Sequence, residues 1–68
     1  MYRAIKQAVE KLGGQTQAAA ALGVSQPTVW YWLNKMKKAP PEMVLAIEAK
    51  TGVSRHELRP DLYPREAA

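Results

Sequence analysis

Four consecutive alanines, Ala18 to Ala21, run into Leu22 and stop at Gly23, and two residues later Ser25 and Pro27 open a second segment carrying Val29, Trp32 and Leu33. Nothing else in the chain restricts its fold as much. Alanine is the strongest helix former, and its small side chain lets two helices approach closely, so the run predicts a short helix pressed against a neighbour. That helix is expected from Gln15 or Thr16 to Leu22. Gly23 is expected to turn the chain with φ > 0, which costs glycine little. Ser25 reads as the N-cap of the next helix, and Pro27 is tolerated in its first turn, where amides have no intrahelical acceptor. Val29, Trp32 and Leu33 point inward, and the helix is expected to end between Asn34 and Met36.

The flanks read as three more helices. Ile5, Val9 and Leu12 recur at helical spacing and share a face, predicting a helix over residues 2–12 closed by Gly13 and Gly14. Lys37, Lys38, Ala39 and Pro40 form a loop. Pro41 stands where a first helical residue should, followed by Val44 and Ile47 on one apolar side to about Lys50, with Gly52 as terminator. Ser54 and Glu57 have capping-box spacing and open a last short helix ending before Pro60. No segment alternates apolar and polar residues over strand length. The expectation is an all-α, compact five-helix domain over residues 1–60 with a C-terminal tail, 61–68.

Sixty-eight residues lie near the lower size at which one core holds a fold, so a second copy would add useful burial. The absence of cysteine excludes disulfides and thiolate metal sites and fits a reducing, cytoplasmic setting. No apolar run reaches membrane length and no signal-peptide segment is read, so no membrane partner is expected. His56 stands without a second histidine or ligand-spaced carboxylates, so it is read as an exposed polar residue. No metal, cofactor or catalytic residue is assigned. Glu48, Glu57 and Asp61 read as surface charge or capping groups. The chain is too small to offer much concave space, and an enzyme is not expected. The net charge of +4 attracts polyanions without specifying a fold.

Residues Gln15 to Leu33 resemble the helix-turn-helix of the phage Cro and repressor family. Ala19 falls at the small position where the helices touch and Gly23 in the turn, with Val24, Val29 and Trp32 at buried apolar positions and Leu22 and Ala18 completing the set. The wider chain, from about residue 4 to 64, is also similar to the YdaS-like antitoxin family, including Gly13-Gly14-Gln15 and the Glu57-to-Pro64 segment. The resemblance implies a small transcriptional repressor of prophage origin in a bacterial or phage-infected cell, binding double-stranded DNA as a homodimer. Cro relatives include members with a β-hairpin C-terminal half. Pro41 and the Ser54–Glu57 spacing favour the all-helical form.

The resemblance implies that the helix from Gln26 to Asn34 enters the major groove, with Ser25, Gln26, Pro27, Thr28 and Tyr31 as base readers. Glutamine can make two hydrogen bonds to adenine N6 and N7, while Thr28 and Tyr31 could touch a thymine methyl or a phosphate. Phosphate contacts are assigned to Gln15, Thr16, Gln17, Trp30, Asn34, Lys35, Lys37 and Lys38. Each competes with plain solvation. Consecutive residues on a helix are turned by about 100°, so Trp30, Tyr31 and Trp32 cannot face one way. Trp32 is assigned to the core. Exposed Trp30 could pack on the sugar-phosphate edge, meet a second subunit, or fold over the Lys35 stem. The alternative function is an antitoxin-like interaction module holding a toxin-like protein through Trp30, Leu62 and Tyr63, with DNA binding secondary.

Overall fold

The computed structural model describes residues 1–64, so the end of the tail, 65–68, lies outside the described residues. The described chain is all-helical. In order it forms α1 (Tyr2–Lys11), α2 (Gln15–Leu22) and α3 (Gln26–Tyr31), a π-helical turn (Trp32–Met36) and a 3₁₀ turn (Pro41–Met43), then α4 (Val44–Thr51) and α5 (Arg55–Leu58). α1 is the shared element, packing against α2, the π turn, α4 and α5.

Local chemistry explains most boundaries. Gly23 adopts φ 72° and ψ 29° at the end of α2, the left-handed conformation expected of it. A Cβ there would meet nothing within 4 Å, so the constraint is conformational rather than steric. Ser25 is extended and caps α3, its Oγ accepting from the Thr28 amide. Ser54 caps α5 but accepts from the His56 amide at 3.0 Å, so the capping bond falls one residue short of Glu57. The Arg55 amide is taken instead by the Glu48 carboxylate at 2.9 Å.

Two stretches depart from uniform α-helix. The segment expected to remain α-helical into residues 34–36 widens into the π turn after Tyr31. There the Asn34 side-chain amide donates to the Trp30 carbonyl at 2.9 Å, supplying the donor that an α-helix takes from the backbone four residues on. Lys37 then closes the segment at φ 57°, the single non-glycine with positive φ among the described residues. The helix expected from Pro41 begins as the 3₁₀ turn, a frequent form of a helix start.

The core gathers Ala4, Ile5, Ala8 and Val9 of α1 around Ala18, Ala19, Val29, Trp32, Val44 and Ile47. Ala39, Val53 and Leu58, absent from the periodic pattern, are also buried. Leu12, Leu22, Val24 and Leu33 are only partly buried, lining its edge. Burying one Ile, Val or Leu side chain stabilises by roughly 1.5–3 kcal/mol. Arg59 is buried too, at 6% exposure. Its guanidinium donates to the Ala39 carbonyl at 2.8 Å and to both Asp61 carboxylate oxygens at 3.0 and 2.8 Å. The residue after α5 is thereby tied to the loop that follows the π turn.

Candidate nucleic-acid interface

The packing of α2 on α3, with Ala18 and Ala19 buried, and the Gly23 turn set the two helices side by side and bring together two glutamines 11 residues apart. Gln26 Nε2 donates to Gln15 Oε1. A carboxamide offers two N–H donors and one oxygen with two lone pairs. After this bond Gln26 keeps one N–H and its oxygen, while Gln15 keeps both N–H groups. The pair holds the Gln26 amide in one orientation at the exposed start of α3.

Ser25, Gln26, Pro27 and Tyr31 are exposed, Tyr31 at 53%. Thr28 departs from the solvent-facing position expected of it: it is half-buried, and its hydroxyl lies 2.7 Å from that of Ser25. Trp30 is 44% exposed and Trp32 4%, the division required by a turn of about 100° per residue.

Thr16 and Gln17 lie exposed in the first turn of α2, whose N-cap, Gly14, offers no side chain to the free amides. The Gln17 stem lies over the Gly13 turn, where a Cβ would come within 3.1 Å of Gln17 Cγ. Gln15 is half-buried, Asn34, Lys35 and Lys37 are exposed, and Lys38 is half-buried. The Lys37 ammonium sits 5.9 Å from the centroid of the Tyr2 ring, within cation–π range.

Some residues behave differently from their sequence reading. His56 is half-buried rather than exposed, and its Nδ1 lies 2.8 Å from the Tyr63 carbonyl. A carbonyl only accepts, so Nδ1 carries the proton. Tyr63, expected in an exposed apolar patch, is half-buried and packs against the core, with the Arg55 guanidinium 5.8 Å from its ring centroid. Glu48 is held below its ordinary pKa, first by the bond from the Arg55 backbone. The Arg59 guanidinium, chiefly through its hydrogen bonds, lowers the Asp61 carboxyl to about 2.

The sequence reading passed over two features of this face. Every acidic residue lies outside 11–41, so the segment containing α2, α3 and the lysines after them carries no negative side chain. A scan of charge along the chain exposes this directly. Tyr2 and Lys6 line a groove together with Gln15 and Asn34. Tyr2, Lys6 and Glu10 recur at a spacing of four, which marks one helix face, but the spacing does not say what that face meets.

The sequence profile of the family described as "Bacterial toxin YdaS" matches residues 5–67. A relative from Escherichia coli (strain K12), "Putative transcriptional regulator YdaS", is 43% identical over 68 aligned positions, covering 93% of this chain and 69% of that protein. The structure titled "Structure of the Cro protein from putative prophage element Xfaso 1 in Xylella fastidiosa strain Ann-1" superposes with a TM-score of 0.79 and 39% identity, over 87% of this chain and 92% of that one. Both halves of the sequence resemblance, Cro and YdaS, are thus met, although the family description reads toxin where the resemblance suggested antitoxin.

Proposed function

The chain belongs to the bacterial toxin YdaS family, and we propose that it is a sequence-specific DNA-binding transcriptional regulator of the Cro-like repressor kind. It inserts the helix from Gln26 to Asn34 into the major groove and acts without catalysis. Residues 1–60 form the DNA-binding domain, working in the cytoplasm as a homodimer on a palindromic operator.

The observation that carries this reading is the Gln15–Gln26 bond. The donor and acceptor left on Gln26 match adenine N7 and N6 in the major groove, and the two free donors of Gln15 suit a phosphate. Tyr31 lies further along the same exposed helix, and Ser25 and Pro27 stand at its entry, within reach of neighbouring base edges. Thr16, Gln17, Trp30, Asn34, Lys35, Lys37 and Lys38 take the backbone, which fixes register without carrying sequence information. One small reading head contacts too few bases to be selective, so two copies are required. Half-site centres then lie roughly 34 Å apart.

Selection of bound sites from random duplex DNA, followed by titration of the selected site across salt concentrations, tests the proposal. The expected result is an inverted repeat bound by two chains with steep salt dependence. One chain per selected site would overturn the dimer. The second reading is an antitoxin-like chain whose main role is to hold another polypeptide, with DNA binding secondary. Random duplex that fails to bind even at low salt would decide for that reading.

A further inference from the structure

We propose that the groove between α1, the start of α2 and the end of the α3–π segment seats a phosphodiester of the bound DNA, with Lys6 as its cation. This extends the footprint to α1 and rests on the DNA-reading role proposed above. The groove has a volume of about 410 Å³ and is lined by Tyr2, Lys6, Glu10, Gln15 and Asn34 over a floor that includes Val9 and Leu33. Its walls thus present one ammonium, two carboxamides, a phenol and a carboxylate, the first four being groups that contact a nucleic-acid backbone.

The groove continues directly into the proposed reading head. Gln15 is at once a wall of the groove and the partner of Gln26, so a strand whose base meets Gln26 has its backbone beside the opening. Lys6 is exposed and forms no ion pair with a described residue, so its charge is available to a ligand. A second ammonium, that of Lys37, stands 5.9 Å from the ring centroid of Tyr2, one of the lining residues. Glu10 is the acidic residue of the lining, one turn from Lys6 on α1. It opposes a phosphate there, and the opposition gives the proposal a second, opposite-signed test.

The experiment titrates the full chain with a random-sequence DNA duplex at several salt concentrations, comparing wild type with Lys6→Ala, Lys6→Arg, Glu10→Gln and Lys50→Ala. Each variant is first checked for a cooperative melt. One lost phosphate contact makes the slope of log K against log salt shallower by about 0.9, so the affinity deficit of Lys6→Ala should shrink roughly three- to fourfold between 50 and 200 mM salt. Lys6→Arg should restore the wild-type slope, and Glu10→Gln should bind more tightly than wild type at low salt. Lys50, exposed in the last turn of α4, should leave the slope unchanged when replaced. A steep wild-type slope that Lys6→Ala does not alter would overturn the groove and leave the reading head standing. Absence of salt-dependent binding by wild type would overturn both.

Discussion

Gln26 depends on Gln15 for its orientation, and that dependence separates two roles that a list of exposed polar residues would merge. Gln26→Ala should lose about 1–3 kcal/mol of discrimination at one base pair per half-site with little change in salt slope. Gln15→Ala should erode the same discrimination from a distance and weaken binding to all sequences with the slope unchanged, because it removes both the partner of Gln26 and an uncharged phosphate donor. Affinities for a base-substitution series at two salt concentrations check both. Equal base preference in wild type and Gln15→Ala would mean that the glutamine pair plays no part in reading. The two tryptophans divide in another way. Trp32, 4% exposed, should leave a cavity costing about 3–5 kcal/mol when replaced by alanine. With a total stability on the order of 5 kcal/mol at this size, Trp32→Ala should be largely unfolded at room temperature and Trp30→Ala native-like. Thermal melts followed by circular dichroism distinguish them, and a native-like Trp32→Ala would refute the helix register.

At the scale of elements, the α3 segment is an α-helix whose last turn is π and whose exit is a strained lysine. Lys37 holds φ 57° and ψ 32° at the position where glycine commonly ends a helix, a conformation costing a non-glycine residue roughly 1–2 kcal/mol. Its cation–π contact with Tyr2 returns only about 0.5–1 kcal/mol at an exposed site. Lys37→Gly should therefore be slightly stabilising, raising the melting midpoint by a few degrees for a domain of this size. The same variant should weaken DNA binding at all sequences and flatten the salt slope by about one unit. A lowered midpoint would show that the Tyr2 contact outweighs the backbone strain. A lysine retained where glycine fits better is understandable if the cation is used by a ligand, at a small cost in stability.

For the molecule as a whole, Arg59, itself held by Asp61, connects the segment after α5 to the loop after the π turn through the Ala39 carbonyl. The Asp61 carboxyl is lowered from 3.8 to about 2, first by the hydrogen bonds from Arg59. Because its folded value lies below the unfolded one, the stability it contributes is complete above 3.8 and is lost as pH falls through about 2. Glu48, also lowered, acts in the same direction. Melting midpoints of wild type should fall on acidification across that window, and Asp61→Asn, weaker at neutral pH, should fall less. Parallel decline of the two proteins would assign the acid sensitivity to other carboxylates.

The sequence by itself determined the number and order of the helices, the Ser25 cap and the Gly23 turn, and the division between Trp30 and Trp32. These follow from rules acting within one or two turns: alanine propensity, glycine at φ > 0, a serine cap, and the helical period. Its errors came where a residue's surroundings are supplied from elsewhere in the chain. His56 is claimed by the Tyr63 carbonyl, and Arg59, on which the sequence reading was silent, is buried because Ala39 and Asp61 satisfy its guanidinium; Thr28, half-buried against its own cap, is the local exception. The Gln15–Gln26 pair and the Tyr2–Lys6 groove belong to the same class. Helical periodicity tells which residues share a face; only tertiary packing selects what that face meets, as it does for α1, which lies against four other elements.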